Sequence, residues 1–397
     1  MHILFLSHIW PPAIDGGSQI IYQTQKHLHK LGHSTLVLTT NCNSTDDFIN
    51  HQSTVINLQS SSIIRLPVYK TKLFVYIKKI FSKFLTITNC KLLNLLRIGP
   101  IFKPVSLIKA LIKINRFKPD LIIAGPLPTT IIFYSHLLAK TFKTKLVILP
   151  CFHHQDLNFH NPILINTLKK ANLIWALTKF EQQYLSKKFS IAPSRFFLSP
   201  PGISLKPLTR IPTKPNGFNI LFLGNLAYHK KVDLLISAFE KLSLKYKHLS
   251  LTIAGQKTLY YPQIEKQLAK LKPAVRSKIK LHLNKYNQAT LKKLLDTSHL
   301  MVFPSINESF GIVFIEALSR GVPIIGSDIP TVKHLIQQSK SGLVFRQNNL
   351  KDLVAKIETL IKNKTLHQQF SQNGLKFSQA FNWPDIIDKL NEKIVDL

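Results

Sequence analysis

Acidic residues are scarce in this chain. Asp and Glu together number 19 against 53 Lys and Arg over 397 residues, for a formal net charge of +34. The isoelectric point is near 10.1. Coding bias toward Lys, Ile and Asn does not by itself explain so few acids, and a chain of this sign prefers anionic surroundings: phospholipid headgroups, nucleotide phosphates or nucleic acid. Cysteine is scarcer still. The three that occur, Cys42, Cys90 and Cys151, are far apart and odd in number, which excludes a disulfide framework and a zinc-finger spacing and fits a reducing cytosol. No uncharged apolar run reaches about 18 residues, so no transmembrane helix is expected. The opening MHILFLSHIWPP has no basic n-region and reads as a first buried strand rather than a signal peptide. No Asp-x-Asp pair and no convincing His cluster offers a metal site, and neither a short-period repeat nor a low-complexity tract is evident.

What is present is ordinary globular material. Apolar residues make up 45% of the chain, and its length is too great for one core, which predicts two domains or slightly more. Strand and helix patterns alternate. His2 to Leu6 reads as a strand, Pro11 to Gly17 as a loop, Gln19 to Leu31 as a helix ended by Gly32, and Thr35 to Thr39 as the next strand. Further buried strands are expected at Leu121 to Ala124, Leu146 to Leu149, Asn172 to Leu177 and Phe196 to Leu198. Residues 199–219 are crowded with Pro, Gly and Lys and read as a linker.

The alternation then restarts. Strands are expected at Ile220 to Leu223, Leu249 to Ala254, Ile279 to Leu283, Met301 to Phe303 and Pro323 to Gly326. The helices between them are Val232 to Leu244, Gln263 to Ala269, Gln288 to Asp296 and Val313 to Ser319, with C-terminal helices from Leu350. The expected fold class is α/β: two Rossmann-like doubly wound domains facing across a cleft, where the carboxyl ends of parallel strands bind ligands. The expected boundaries are 1–200 for the first domain, 201–380 for the second, and 381–397 for a final helix crossing back to the first.

The most informative stretch is PSINESFGIVFIEALSRGVPIIGSD, Pro304 to Asp328. Glu308 follows an apolar strand, Gly311 makes a turn, and Glu316 comes about one turn into a helix. That layout can set one carboxylate at the mouth of a cleft and the other on a helix whose start favours phosphate. The run resembles the E-x7-E signature of the retaining glycosyltransferases of family 4, with Phe310-Gly311, Ala317-Leu318 and Gly321-Val322-Pro323 in register. Without those flanking matches, the pair would read as solvated acids on a strand–turn–helix unit.

The resemblance implies roles. Glu308 would contact the hydroxyls of the transferred sugar, and the backbone of Ser309, Phe310, Gly311 and Ile312 would bind phosphate. Glu316 would hold the ribose, because a carboxylate can accept from two adjacent hydroxyls. Ser305 belongs to the same segment. GNLAYHKKVDLLISAF resembles the family's G-R-L-x-x-x-K-G pattern. Lys230 matches its phosphate-binding Lys, while Asn225 stands at the Arg position and Lys231 at the Gly position. The lost Arg removes a bidentate phosphate partner, which Lys231 would have to replace from another point in space. Gly16 and Gly17, in PPAIDGGSQ, resemble the family's P-x3-GG loop and can bring backbone close to the donor diphosphate or acceptor. His153 follows the strand KLVILPCF and can bond a sugar hydroxyl. His154 and Asp156 are weaker candidates there. Asn284 to Tyr286 are expected near the base, and Trp383 resembles the family's C-terminal aromatic.

Implied with these is a donor that is a UDP- or GDP-sugar, with no cofactor and no metal, and a reaction that transfers a hexose with retention to a lipid-linked or surface-polysaccharide acceptor. Phe48 to Pro119 contains no acid at all. Phe74, Ile77, Phe81 and Phe84 or Leu85 recur at helical spacing with Lys78, Lys79 and Lys83 off that face, so residues 70–118 are expected to meet an anionic membrane surface. The same spacing suits helices that pack an apolar stripe on the core. Localisation is then cytoplasmic and peripheral at the inner face of the membrane. Two other readings stay open: a basic nucleic-acid-binding protein and a catalytically inactive sugar-nucleotide-binding relative. No recognised nucleic-acid motif is present, and nucleic acid is not expected as a partner.

Overall fold

The computed structural model describes residues 1–12, 15–42, 62–68, 99–283 and 287–397. The chain divides into two compact units, Met1–Pro201 with Trp383–Leu397, and Gly202–Asn382. Each is built on its own parallel sheet with helices between the strands.

The first unit holds β1 (His2–Leu6), β2 (Ser34–Thr40), β3 (Ile63–Leu66), β4 (Leu121–Ala124), β5 (Lys145–Ile148), β6 (Leu173–Ala176) and β7 (Phe196–Leu198). Their order across the sheet is β3-β2-β1-β4-β5-β6-β7. The second holds β8 (Phe218–Leu223), β9 (Leu249–Gly255), β10 (Ile279–Leu283), β11 (Leu300–Phe303), β12 (Ile324–Ser327) and β13 (Gly342–Phe345), in the order β10-β9-β8-β11-β12-β13. Every strand pairing is parallel, with β1 next to β4 and β8 next to β11. Parallel strands covered on both faces read as unbroken apolar runs. Ile3, Leu4, Phe5 and Leu6 of β1 are fully buried, and so are Ile220, Leu221, Phe222 and Leu223 of β8. Each such side chain contributes about 1.5–3 kcal/mol by leaving water.

The strand order has one consequence for function. In each sheet the connections from two adjacent central strands run to opposite sides, and the crevice between them is where doubly wound sheets take ligands. The segments leaving β1 and β4 flank that point in the first unit. Those leaving β8 and β11 flank it in the second.

Helix boundaries follow local chemistry. In helix Gly16–Lys30, Asp15 caps the start by accepting from Ser18 N at 2.8 Å. His27, His29 and Lys30 occupy the last turn, and Gly32 at φ +91° carries the chain away. Helix Trp383–Val395 packs on that helix within the first unit. Trp383 stacks on His27 at 5.9 Å, and His33 Nε2 meets Asn391 Oδ1 at 2.8 Å.

Two edge strands, β3 and β13, and the helices Pro104–Phe117, Thr130–Phe142, Pro162–Lys170, Lys179–Phe189 and Pro330–Ser339 were not anticipated from the sequence. Both edge strands are four residues long and largely half-buried; Arg65 interrupts the apolar run of β3, and β13 opens on Gly342. The helical spacing expected from Phe74 to Leu85 lies outside the described residues, as do Asn284 to Tyr286. Among the described residues no helix is long and apolar enough to cross a membrane.

Candidate functional site

In the second unit, β8 runs out into Gly224–Lys231 and β11 into Pro304–Gly311, on the two sides of the crevice. The structure joins these loops. Lys230 Nζ lies 2.5 Å from Glu308 Oε2, and both side chains are largely buried. Beside that pair, Ile306 N donates to His229 O at 2.8 Å. The Lys230 ammonium also stands 5.1 Å from the centroid of Phe303, the last residue of β11. Thr331 Oγ1 donates to Glu308 O at 2.9 Å and steadies the acid from helix Pro330–Ser339.

Gly311 is required by geometry. Its φ is +82°, and a Cβ there would sit 2.5 Å from the Phe314 ring. Only glycine turns the chain this tightly into helix Ile312–Leu318. Phe310 is buried 6.2 Å from the Phe381 ring, and Ser309 and Ile312 are half-buried. The first-turn amides of Ile312 and Val313 have no intrahelical acceptor, as at any helix start. Ser305 is fully buried, and its Oγ has no partner among the described residues.

Glu316 lies on the same helix and is buried. Among the described residues its carboxyl makes no hydrogen bond or ion pair, and burial pushes its pKa up to about 7.

The base of that helix is held by residues the sequence reading passed over. Lys214 Nζ donates to Leu295 O at 3.1 Å and Arg320 O at 3.4 Å, beyond or within the last turns of helices Gln288–Asp296 and Ile312–Leu318. A cation suits two helix C-termini. Burial, partly offset by Asp296, lowers the Lys214 ammonium to about 8. Arg320 Nε reaches Asp296 Oδ1 at 2.6 Å. A lysine inside a Pro-rich linker gives no sequence signal of such a role.

The two departures from the resembled pattern differ in kind. Asn225 is exposed in the loop after β8. Lys231, at the Gly position, has φ +50° and ψ +40° and precedes helix Val232–Ser243. The backbone there is left-handed, which glycine adopts freely and a lysine adopts at a cost of about 1–2 kcal/mol. Its Nζ rests 3.7 Å from the centre of the Tyr228 ring.

In the first unit, Gly16 and Gly17 open helix Gly16–Lys30 beside the segment leaving β4. A Cβ on Gly17 would meet the Pro126 ring at 2.6 Å, whereas one on Gly16 would face open space. Gly17 therefore serves close packing, and Gly16 is the one whose backbone a ligand can approach. Asp15, also passed over, pairs with the buried His8 at 2.8 Å. Burial would raise Asp15, but His8 and Ser18 N outweigh it and hold the carboxyl down to about 2. His153 is half-buried, with its ring 4.9 Å from that of Phe159. His154 lies against Phe180 and Tyr184, and burial together with His160 lowers its pKa. Asp156 is spent on a turn, accepting from Asn158 N at 2.9 Å.

Glu181 anchors the His153 loop. Its two carboxylate oxygens accept from Phe152 N and Leu177 N, each at 2.7 Å, so one buried side chain ties the exits of β5 and β6 together. Burial raises this carboxyl to about 7 despite both donors. Its signal was present in the sequence as the T-x-x-E cap Thr178–Glu181, where Thr178 Oγ1 accepts from Glu181 N at 3.0 Å. Among the described residues no group of three or more His, Cys, Asp or Glu could hold a metal ion.

Residues 209–377 match the family model described as Glycosyl transferases group 1, a span that includes Lys230, Glu308 and Glu316. An uncharacterized glycosyltransferase of Haemophilus influenzae is 26% identical over 267 residues, 65% of this chain and 72% of that protein. One from Methanocaldococcus jannaschii is 29% identical over 170 residues, 42% of each, so the chain spans under half of that relative. Among solved structures, sucrose-phosphate synthase from Thermosynechococcus elongatus superposes with a TM-score of 0.74 at 17% identity, over 100% of this chain and 98% of that one. Anabaena HepE in complex with UDP-glucose gives 0.73 at 15% identity, over 100% of both. The fold, two parallel-sheet Rossmann-like units, is that of the GT-B glycosyltransferases. The family match and the curated relatives support the glycosyl transferases group 1 family.

Proposed function

We propose that this chain is a retaining hexosyltransferase. It would move a sugar from a UDP- or GDP-sugar to a lipid-linked or surface-polysaccharide acceptor. The observation that carries this reading is the Lys230–Glu308 pair spanning the crevice of the second unit, inside the segment that matches the group 1 family. That HepE was solved with UDP-glucose supports a nucleotide-sugar donor.

In this reading the donor diphosphate draws the Lys230 ammonium away from Glu308 and takes its charge. Glu308 then accepts from the sugar hydroxyls. The backbone from Ser309 to Ile312 and the Lys231 ammonium complete the phosphate grip, Lys231 standing in for the Arg that Asn225 replaces. Charge on the leaving diphosphate is neutralised by these groups without a metal ion. In the first unit, the acceptor would meet His153 and the backbone at Gly16.

Glu316 receives the ribose hydroxyls, and this gives the test. Its carboxyl is pushed up to about 7 in the free chain, and two hydroxyl donors favour the ionised form. Donor binding should therefore release about half a proton at pH 7, and affinity should rise about tenfold between pH 6 and pH 8. The diphosphate diester of a sugar nucleotide does not titrate in that window. Calorimetry in two buffers of different ionisation enthalpy measures the proton. A UDP- or GDP-sugar that binds with no pH dependence removes Glu316 from the ribose, and the absence of binding by any donor counts against the whole reading.

A membrane-bound acceptor is supported by helix Pro104–Phe117. Val105, Ile108 and Ile112 are more than half exposed along one stripe, and Lys109, Lys113 and Arg116 are exposed beside them. Such a face lies on an anionic bilayer, each Lys or Arg contributing about 1 kcal/mol. The chain should sediment with anionic vesicles and not with neutral ones, and equal binding to both would rule the surface out.

A further inference from the structure

The carboxyl ends of β2 and β3 in the first unit hold polar atoms that the reaction above does not use. Arg65 of β3 stands opposite Thr39 of β2. Partners in a parallel sheet project to the same face. Arg65 is half-buried and gives one nitrogen, Nη2, to the carbonyl of Pro11, in the loop that leads toward helix Gly16–Lys30. Its Nε and Nη1 are buried and have no acceptor among the described residues. The hydroxyl of Thr39, wholly buried, has no partner among them either. Among the described residues no carboxylate pairs with Arg65. A guanidinium held this way is a poor structural element, because a cation removed from water is strongly destabilising unless an anion answers it.

The unanswered groups are donors of one kind: Nε–H, the two hydrogens on Nη1 and the Thr39 hydroxyl. A phosphate group, with several acceptor oxygens and a negative charge, satisfies them together. We propose that Arg65, with Thr39 beside it, is a phosphate subsite, and that the phosphate belongs to the acceptor. The subsite stands on the unpartnered donors alone, and only its assignment to the acceptor rests on the glycosyl-transfer reading. Burial lowers the Arg65 pKa, the direction expected of a cation without its counter-charge.

The test uses the full chain carrying Lys230→Gln and Lys231→Gln, so that phosphate cannot report on the donor site. Two sources are offered, inorganic phosphate and phosphatidic acid in phosphatidylcholine vesicles. Binding is followed by thermal shift for the first and sedimentation for the second. At least one source should bind about tenfold more weakly once Arg65→Met is added, and the one that does identifies a soluble or a lipid-borne phosphate. In phosphate-free buffer the same substitution should raise the Tm, because it removes a buried cation with no counter-charge. If Arg65→Met binds both sources as tightly as its parent, or lowers the Tm while leaving phosphate binding intact, the guanidinium is satisfied within the chain or by water and the subsite does not exist. Should Arg65→Met fail to fold, Thr39→Val is the second probe, with a loss of about threefold or more expected for the same source and no loss counting as refutation. Phosphate binding through Arg65 in a chain whose native form turns over no donor would leave the subsite standing and the proposed reaction fallen. Turnover with no Arg65-dependent binding would do the reverse.

Discussion

Lys230→Ala should reduce turnover of a nucleotide-diphosphate sugar by about 10²–10³-fold, the usual cost of losing one group aimed at charge that develops on the leaving atoms. The side chain leaves the loop after β8, crosses to the loop after β11 and ends 2.5 Å from Glu308. The substitution also removes the ammonium beside a buried carboxylate, so stability should fall by about 2 kcal/mol, less than for a fully sealed pair because both groups keep some contact with water. The two effects separate in a double variant. Adding Glu308→Gln removes the buried negative charge, so the Tm should recover while turnover does not. Full activity in Lys230→Ala would end the claim that this ammonium handles the diphosphate. Recovery of activity along with the Tm would mean that the pair is only a brace.

The second large effect is on stability. Glu181→Ala should cost about 2–6 kcal/mol, because Phe152 N and Leu177 N each lose a buried acceptor at about 1–3 kcal/mol. Glu181→Gln keeps one acceptor and should cost less. The pH dependence follows from the raised carboxyl. Its value is about 7 in the folded chain against an ordinary 4.5, so its contribution to stability is fully present below about 4.5 and is lost as pH rises through 7. Glu316 has the same direction. Denaturant midpoints of the parent and of Glu181→Gln, measured from pH 5 to pH 8, should therefore differ in slope, the variant being flatter. Equal slopes would show that Glu181 stays ionised throughout. His153 lies next to Phe152, so Glu181→Ala should also disturb whatever His153 contributes, whereas a distant destabilising change would not.

Much of this was legible in the residues. Continuous apolar runs such as Ile220 to Leu223 mark strands because each is covered on both faces, and the alternation with helices implied parallel sheets. The expected strand Phe196 to Leu198 and helix Gln288 to Asp296 have the bounds the structure shows. Gly311 and the helix that carries Glu316 were legible because a tight turn and a helix register each constrain a few neighbours along the chain, whereas Glu308 and Glu316 were singled out by the family resemblance. Strand β3 escaped because Arg65 interrupts its apolar run, and β13 because it opens on Gly342 and leaves only Leu343 to Phe345 apolar.

Local pattern determined the kinds of element, their approximate limits and the residue types able to hold a phosphate or a sugar. Tertiary structure alone decided that β8 lies against β11, and with it that Lys230 meets Glu308 across 78 positions. It also decided that Lys214 closes two helices, that Glu181 joins two strand exits, and that Arg65 is left with donors unanswered. The physical reason is common to all of them. Propensity and periodicity act between near neighbours in sequence, whereas burial, charge pairing and an unsatisfied hydrogen bond depend on which distant segments the sheet order brings together.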